Sequence, residues 1–255
     1  MDRARTEPTG ALPNLVLIGA MKCGTTSLHR YLDLHPDVAM SRPKELNFFL
    51  GPDRRPEQGT GRHAGNWHRG PEWYAARFDA DAPLRGEASP GYTSPDHPDV
   101  AGRMAELIPG AHLLYAVRDP IERAVSQYWH HRRDGTETRE PAEALRDPAS
   151  QYVSRGRYFQ RLAPFLATGA FHGRITVVAR EHLRDRPRAT LRGLFGALGV
   201  DDGHWSTAMD QRRNAAPERP PPVGEAVRRE LRAALAEDAA RFRDFTGEEF
   251  AEWSV

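Results

Sequence analysis

The chain has 255 residues with 36 basic and 35 acidic side chains, a net charge of +1. That balance, with both signs interspersed, excludes a nucleic-acid-coating protein, whose footprint is a large basic excess. Only two of the basic side chains are lysines, Lys22 and Lys44, and the lone cysteine, Cys23, excludes an internal disulfide and a thiolate cluster for zinc.

Residues 1–12 are polar and read as a flexible arm, and residues 13–255 as one domain, with no linker or repeat to divide them. Asp2 and Glu7 argue against a signal peptide, and the apolar run Leu15–Met21 is far shorter than the roughly 20 residues that span a bilayer. The expectation is a cytoplasmic protein without membrane contact, in a reducing compartment. Leu15, Val16, Leu17 and Ile18, ending at Gly19, suit a strand buried on both faces of a parallel sheet. From Thr25 the pattern turns helical, with Leu28, Tyr31, Leu32 and His35 at intervals of three and four until Pro36.

Residues 51–71 hold five glycines and three prolines together with His63, Trp67 and His68, a loop long enough to be functional or disordered. Leu84–Ser89 reads as a short strand, 97–108 as a helix and Ala111–Val117 as a second fully buried strand. Pro120 then opens a helix with Ile121, Ala124, Val125 and Tyr128 on one face. A further helix spans Tyr158–Leu166, a third apolar strand Ile175–Ala179, and a helix through Leu191, Leu194, Phe195 and Leu198 stops at Gly199. Residues 201–222 read as a loop, and Val227, Leu231, Leu235 and Phe242 line a closing helix. Apolar strands alternating with helices predict an α/β fold: a single domain with a central parallel sheet flanked by helices.

The segment from Gly19 to Thr26 fits the phosphate-loop pattern of glycine, four residues, glycine, lysine, then serine or threonine, except that Thr25 takes the lysine's slot and Lys22 lies three residues earlier. Such a loop wraps an anion in backbone amides at a helix N-terminus, with Thr25, Thr26 and Ser27 adding hydroxyls. Displacing the lysine carries its ammonium over the loop, towards the bond that reacts. Arg118 at the end of the second apolar strand, with Ser126 eight residues on, forms a pair able to clamp a second phosphate. Glu45, in Lys44–Glu45–Leu46–Asn47–Phe48–Phe49, follows the first helix in a place to bring a carboxylate back over the loop's mouth, and Glu87, Ser89, Pro90 and Tyr92 follow the next strand.

Together and in this order, these segments resemble the sulfotransferases that use 3′-phosphoadenosine 5′-phosphosulfate (PAPS), over roughly residues 13–215, and are most like the bacterial members and the heparan sulfate sulfotransferases. Gly19–Leu28 with Leu34–Val38, Lys44–Phe49, Glu87–Tyr92, 117–128, Gly156–Tyr158 and 174–198 carry the likeness. The resemblance implies a P-loop-kinase-like sulfotransferase fold, PAPS as co-substrate and no metal. It implies that Lys22 contacts the donor's bridging oxygen, that Cys23, Gly24, Thr25, Thr26 and Ser27 hold the phosphosulfate, and that Arg118 and Ser126 bind the 3′-phosphate. Tyr158 is placed in the donor site, Arg212, Arg213 and Asn214 in a nucleotide-covering loop, and Glu45 as general base.

Lys44, Glu87, Trp67, Tyr92 and His130 are the candidate acceptor contacts, and His63, His68, His130 and His131 rival Glu45 as base. One departure is Ala88, where the heparan sulfate group commonly has lysine. The expected acceptor is a small hydroxylated metabolite or saccharide, amines less so. Two other readings are a magnesium-dependent P-loop kinase or NTPase, with Asp119 as its metal-holding acid, and a non-catalytic carbohydrate-binding module on the same fold.

Overall fold

A computed structural model describes residues 10–51, 65–210 and 221–255. The chain order is β1 (Leu15–Gly19), α1 (Thr25–Asp33), β2 (Val38–Met40), α2 (Gly70–Ala75), β3 (Leu84–Ala88), α3 (Val100–Leu107), β4 (His112–Val117), α4 (Pro120–Arg133), α5 (Pro141–Arg146) and α6 (Gln151–Ser154). It continues with α7 (Tyr158–Ala167), β5 (Ile175–Ala179), α8 (Arg180–Asp185), α9 (Pro187–Leu198) and α10 (Glu225–Thr246).

All five strands pair in parallel in the order β2-β3-β1-β4-β5. β1 and β4 are central, which is why their sequences are continuous apolar runs and not alternating ones: every residue of β1 is buried. The connection from β1 leaves towards the β2 edge and that from β4 towards the β5 edge. The crevice above their carboxyl ends is therefore the sheet's switch point, where open α/β sheets bind ligands.

The parallel α/β architecture and the strands at 15–19, 111–117 and 175–179 agree with the sequence reading. Several short elements escaped it: β2 is only three residues long, too short to show a period, and α2, α5, α6 and α8 are helices of six residues or fewer. The helix expected from His97 starts at Val100, because Pro98 and the Asp99 cap precede it. Residues 10–12 are not part of a free arm: Leu12 packs on the core, its carbonyl accepts from Arg85 Nε at 3.0 Å, and Gly10 N–H donates to Phe78 O.

The core has two parts. The larger surrounds the sheet; the smaller gathers Ile121, Tyr128, Leu145, Tyr152, Leu231 and Leu235 between α4, α5, α6 and α10. α10 joins them, with Leu231 and Leu235 in the smaller and Phe242 beside Tyr115 and Tyr158 in the larger. Asp238, also on α10, accepts from the N–H groups of Phe159 and Gln160 and so caps α7. None of the described helices is long and apolar enough to cross a membrane.

Candidate active site

At the end of β1 the chain turns under a steric constraint. A Cβ on Gly19 would stand 2.3 Å from Thr93 Oγ1 and 3.0 Å from the Tyr115 ring, so only glycine fits. The loop then curls through left-handed Lys22 (φ 69°) and Gly24 (φ 86°), and α1 starts at Thr25 with no side chain capping its first amides. Cys23 turns inward, its Sγ 3.4 Å from the Tyr158 hydroxyl, so this residue offers only backbone to a ligand. Thr25 is buried, Ser27 half-buried and Thr26 exposed. Arg180, the first residue after β5, lies along Gly24, its Cγ 3.5 Å from the point a Cβ there would occupy.

Lys22 is half-buried among cations. Burial, then the like charges of Arg133, Arg118 and Arg180, push its ammonium below the ordinary lysine range, with Asp134 opposing them. A site that gathers positive charge around a single loop amine is built for a multiply charged anion, whose arrival relieves the repulsion.

At the end of β4, Arg118 pairs with Glu122 at 3.5 Å, and its backbone is gripped by Tyr158, whose hydroxyl donates to Arg118 O at 2.7 Å. Asp119 caps α4, with Oδ1 accepting from the N–H groups of Ile121 and Glu122 while Oδ2 accepts from Ser254 N–H at 2.6 Å. The buried carboxylate of Asp119 is thus spent on backbone amides, which corrects its place as a metal-holding acid. Ser126 lies half-buried on α4, two turns beyond Arg118. Arg123, on the same helix, is completely buried and donates to Gln127 Oε1 and to Tyr152 O.

The Lys44–Phe49 segment crosses the carboxyl end of β3, where Glu45 N–H donates to Ala88 O at 3.1 Å. Lys44 Nζ stands 2.5 Å from Glu45 Oε1, and both side chains keep partial solvent exposure. Beneath them lies Glu87, fully buried. Its Oε1 accepts from Ser89 Oγ at 2.5 Å and from the Tyr92 hydroxyl at 2.6 Å, and its Oε2 from the Tyr74 hydroxyl. Burial pushes the Glu87 carboxyl up, and the hydroxyls pull against that. The same hydroxyls hold the segment above: Asn47 N–H donates to Ser89 Oγ, Phe49 N–H to the Tyr92 hydroxyl, and Phe48 stacks on Tyr74 at 4.1 Å.

Four placements therefore differ from the sequence reading. Glu87 and Tyr92 are buried partners of each other and do not face an acceptor. Trp67, partly buried, packs against Phe48 and Phe49 while Arg103 lies over its ring. Tyr158 is buried behind the loop, where its hydroxyl donates to Arg118 O and lies 3.4 Å from Cys23 Sγ.

Among the histidines, His131 is engaged by the Tyr152 hydroxyl at 2.9 Å, His68 is exposed on the turn Trp67–Arg69, and His130 is exposed on α4, 4.0 Å from Asp134. His63, Arg212, Arg213 and Asn214 lie outside the described residues. Sequence reasoning missed Arg180, Arg133 and Arg155, the last reaching the loop at Met21 Sδ and pairing with Asp96 at 3.1 Å. Arg180 had one available signal, its place directly after an apolar strand, like that of Arg118.

A family model described as "Sulfotransferase family" matches residues 13–206. The chain is 29% identical over 211 residues to the bifunctional heparan sulfate N-deacetylase/N-sulfotransferase 2 of Bos taurus, covering 74% of this chain and 22% of that protein. It is 36% identical over 122 residues to the membrane-associated sulfotransferase kil1 of Dictyostelium discoideum, covering 46% of this chain and again 22% of the relative. The chain thus spans about a fifth of the length of these curated relatives. Among solved structures, a sulfotransferase from Alicyclobacillus acidocaldarius superposes with a TM-score of 0.77 at 28% identity, covering 96% of this chain and all of the other. The sulfotransferase domain of the Synechococcus PCC 7002 olefin synthase shares the fold, with a TM-score of 0.55 at 18% identity over 96% of this chain and 98% of that one.

Proposed function

This chain belongs to the sulfotransferase family, and on that premise we propose that it moves a sulfuryl group from PAPS to a hydroxyl of a carbohydrate or small natural product. The observation that carries this reading is the gathering of Lys22, Arg118, Arg180 and Arg133 about one loop at the switch point of the sheet. Charge of that density fits a donor with a 5′-phosphosulfate and a 3′-phosphate. The uncapped amides opening α1, with the hydroxyls of Thr26 and Ser27, suit the phosphosulfate. Arg118 and Ser126 suit the 3′-phosphate.

In the reaction, the acceptor oxygen attacks sulfur in line with the bridging oxygen. A new S–O bond forms as the bond to the 5′-phosphate breaks, and adenosine 3′,5′-bisphosphate leaves. Lys22 neutralises charge on the departing oxygen, the step at which a fixed cation is most effective. Glu45 accepts the acceptor's proton as the bond forms. Because the transferring group is held loosely in the transition state, positioning and charge supply most of the rate. The magnesium-dependent kinase reading is disfavoured because Asp119 is committed to three backbone amides. Relatives named N-sulfotransferases support an amine as the second acceptor class.

The deciding experiment incubates the protein with sulfur-labelled PAPS and a panel of saccharide, phenolic, alcohol and amine acceptors, beside thermal melts with nucleotides. Label transfer, with stabilisation by metal-free adenosine 3′,5′-bisphosphate, is expected; at 100 times its Kd a ligand stabilises by about 2.7 kcal/mol. Stabilisation only by ATP with magnesium overturns the reading. Bisphosphate binding with no transfer to any acceptor favours the binding-module alternative.

A further inference from the structure

The segment after α10 lies beyond the residues matched by the family model, yet it reaches the donor site from below. Phe250 and Trp253 stack with ring centroids 4.2 Å apart, and Trp253 also stacks on Phe242 of α10. Arg232 Nε donates to Ser254 O and an Arg243 guanidinium nitrogen to Val255 O, both at 2.7 Å, which fixes the segment to α10.

From this anchored position the segment touches both groups that hold Arg118. Ser254 N–H donates to Asp119 Oδ2 at 2.6 Å, and the other oxygen of that carboxylate starts α4. The Trp253 ring lies 5.7 Å from the ring of Tyr158, whose hydroxyl donates to Arg118 O. The segment thus supports the two residues before α4, Asp119 through Ser254 and Arg118 through Tyr158.

We propose that Phe250–Val255 is a positioning element for the 3′-phosphate clamp: by fixing Asp119 and Tyr158 it presets the backbone of Arg118, so affinity for the 3′-phosphate depends on it. This rests on the donor reading above. The physical case is one of preorganisation. Arg118 is a long side chain that keeps some solvent exposure, and holding its backbone removes part of the freedom that binding would otherwise have to freeze. A hydrogen bond to a charged acceptor is among the stronger kind, and Ser254 supplies it through its backbone.

Ser254→Pro deletes that single N–H, Ser254→Ala retains it, and Trp253→Leu removes the ring under Tyr158. Titration calorimetry with adenosine 3′,5′-bisphosphate and with adenosine 5′-monophosphate separates the effects, because the ratio of the two affinities does not depend on the fraction of protein folded. For Ser254→Pro and Trp253→Leu, bisphosphate affinity is expected to fall about three- to tenfold, the loss of part of one charged hydrogen bond, with little change for the monophosphate. Ser254→Ala should match the unmodified protein. An unchanged ratio in both Ser254→Pro and Trp253→Leu overturns the proposal. An unmodified protein that binds the two nucleotides equally overturns instead the donor reading beneath it.

Discussion

Lys44 Nζ lies 2.5 Å from Glu45 Oε1, so the second of the chain's two lysines is paired with the carboxylate proposed to take the acceptor's proton. The pair is partly exposed, and its worth lies in aiming the carboxylate more than in stability, which for such contacts is about 0–1 kcal/mol. Glu45→Gln is expected to lower kcat by about 10²–10⁴-fold with bisphosphate affinity unchanged. Lys44→Met should fall between that variant and the parent enzyme. Normal turnover in Glu45→Gln removes Glu45 from the mechanism.

Lys22 ties the site to pH. Its folded value is lowered from 10.5, so between that lowered value and 10.5 the unfolded chain holds the proton more often than the folded one, and stability of the free protein rises with pH across the window. A bound polyanion restores the proton. Binding of adenosine 3′,5′-bisphosphate should therefore take up protons and weaken as pH rises through the same window, measurable by calorimetry in buffers of different ionisation enthalpy. Lys22→Met should abolish the uptake. Lys22→Arg should keep the charge yet lose most transfer, because a planar fork replaces a compact ammonium on a left-handed residue.

Glu87 predicts a split between stability and chemistry. Replacing one acceptor oxygen with an amide in Glu87→Gln sets an NH2 donor against the Tyr74 hydroxyl when the carbonyl keeps Ser89 and Tyr92, at about 1–3 kcal/mol in a urea titration. Because Ser89 and Tyr92 also hold Asn47 and Phe49, kcat should fall while donor affinity stays near normal. A variant that loses donor affinity first would show that Glu87 supports the loop and not the Glu45 segment.

Beyond the end of α4, Glu137 carries an acid-sensitive share of stability. The Arg139 guanidinium first, then the Arg139 N–H and the Tyr152 hydroxyl, hold its carboxyl down to about 2. A lowered acid stabilises the fold above its ordinary value of 4.5 and loses that contribution as pH falls from there towards about 2. With Arg139 41% exposed, screening leaves about 1–2 kcal/mol. Glu137→Gln should therefore melt lower than the parent protein at pH 7 and converge with it near the bottom of that window; parallel curves across the range would contradict the assignment.

The sequence by itself determined the parallel α/β class, the glycine loop with its displaced lysine, and the place of Arg118 at a strand end eight residues before Ser126, because each is written in a local pattern: continuous apolar runs, a glycine spacing, an arginine closing a strand. It could not separate Glu45 from Glu87. Both are glutamates in the segments that approach the loop, but Glu87 lies opposite Val16 in the sheet and is enclosed by Tyr74 and Tyr92, while Glu45 crosses above the strand end. Burial is decided by neighbours distant in the chain, and no spacing records it. Arg133 carried no local mark among so many arginines, Arg180 only its place directly after an apolar strand, and folding brought both around Lys22. The bond from Ser254 to Asp119 spans 135 residues, a distance over which only tertiary structure can decide what supports the donor clamp.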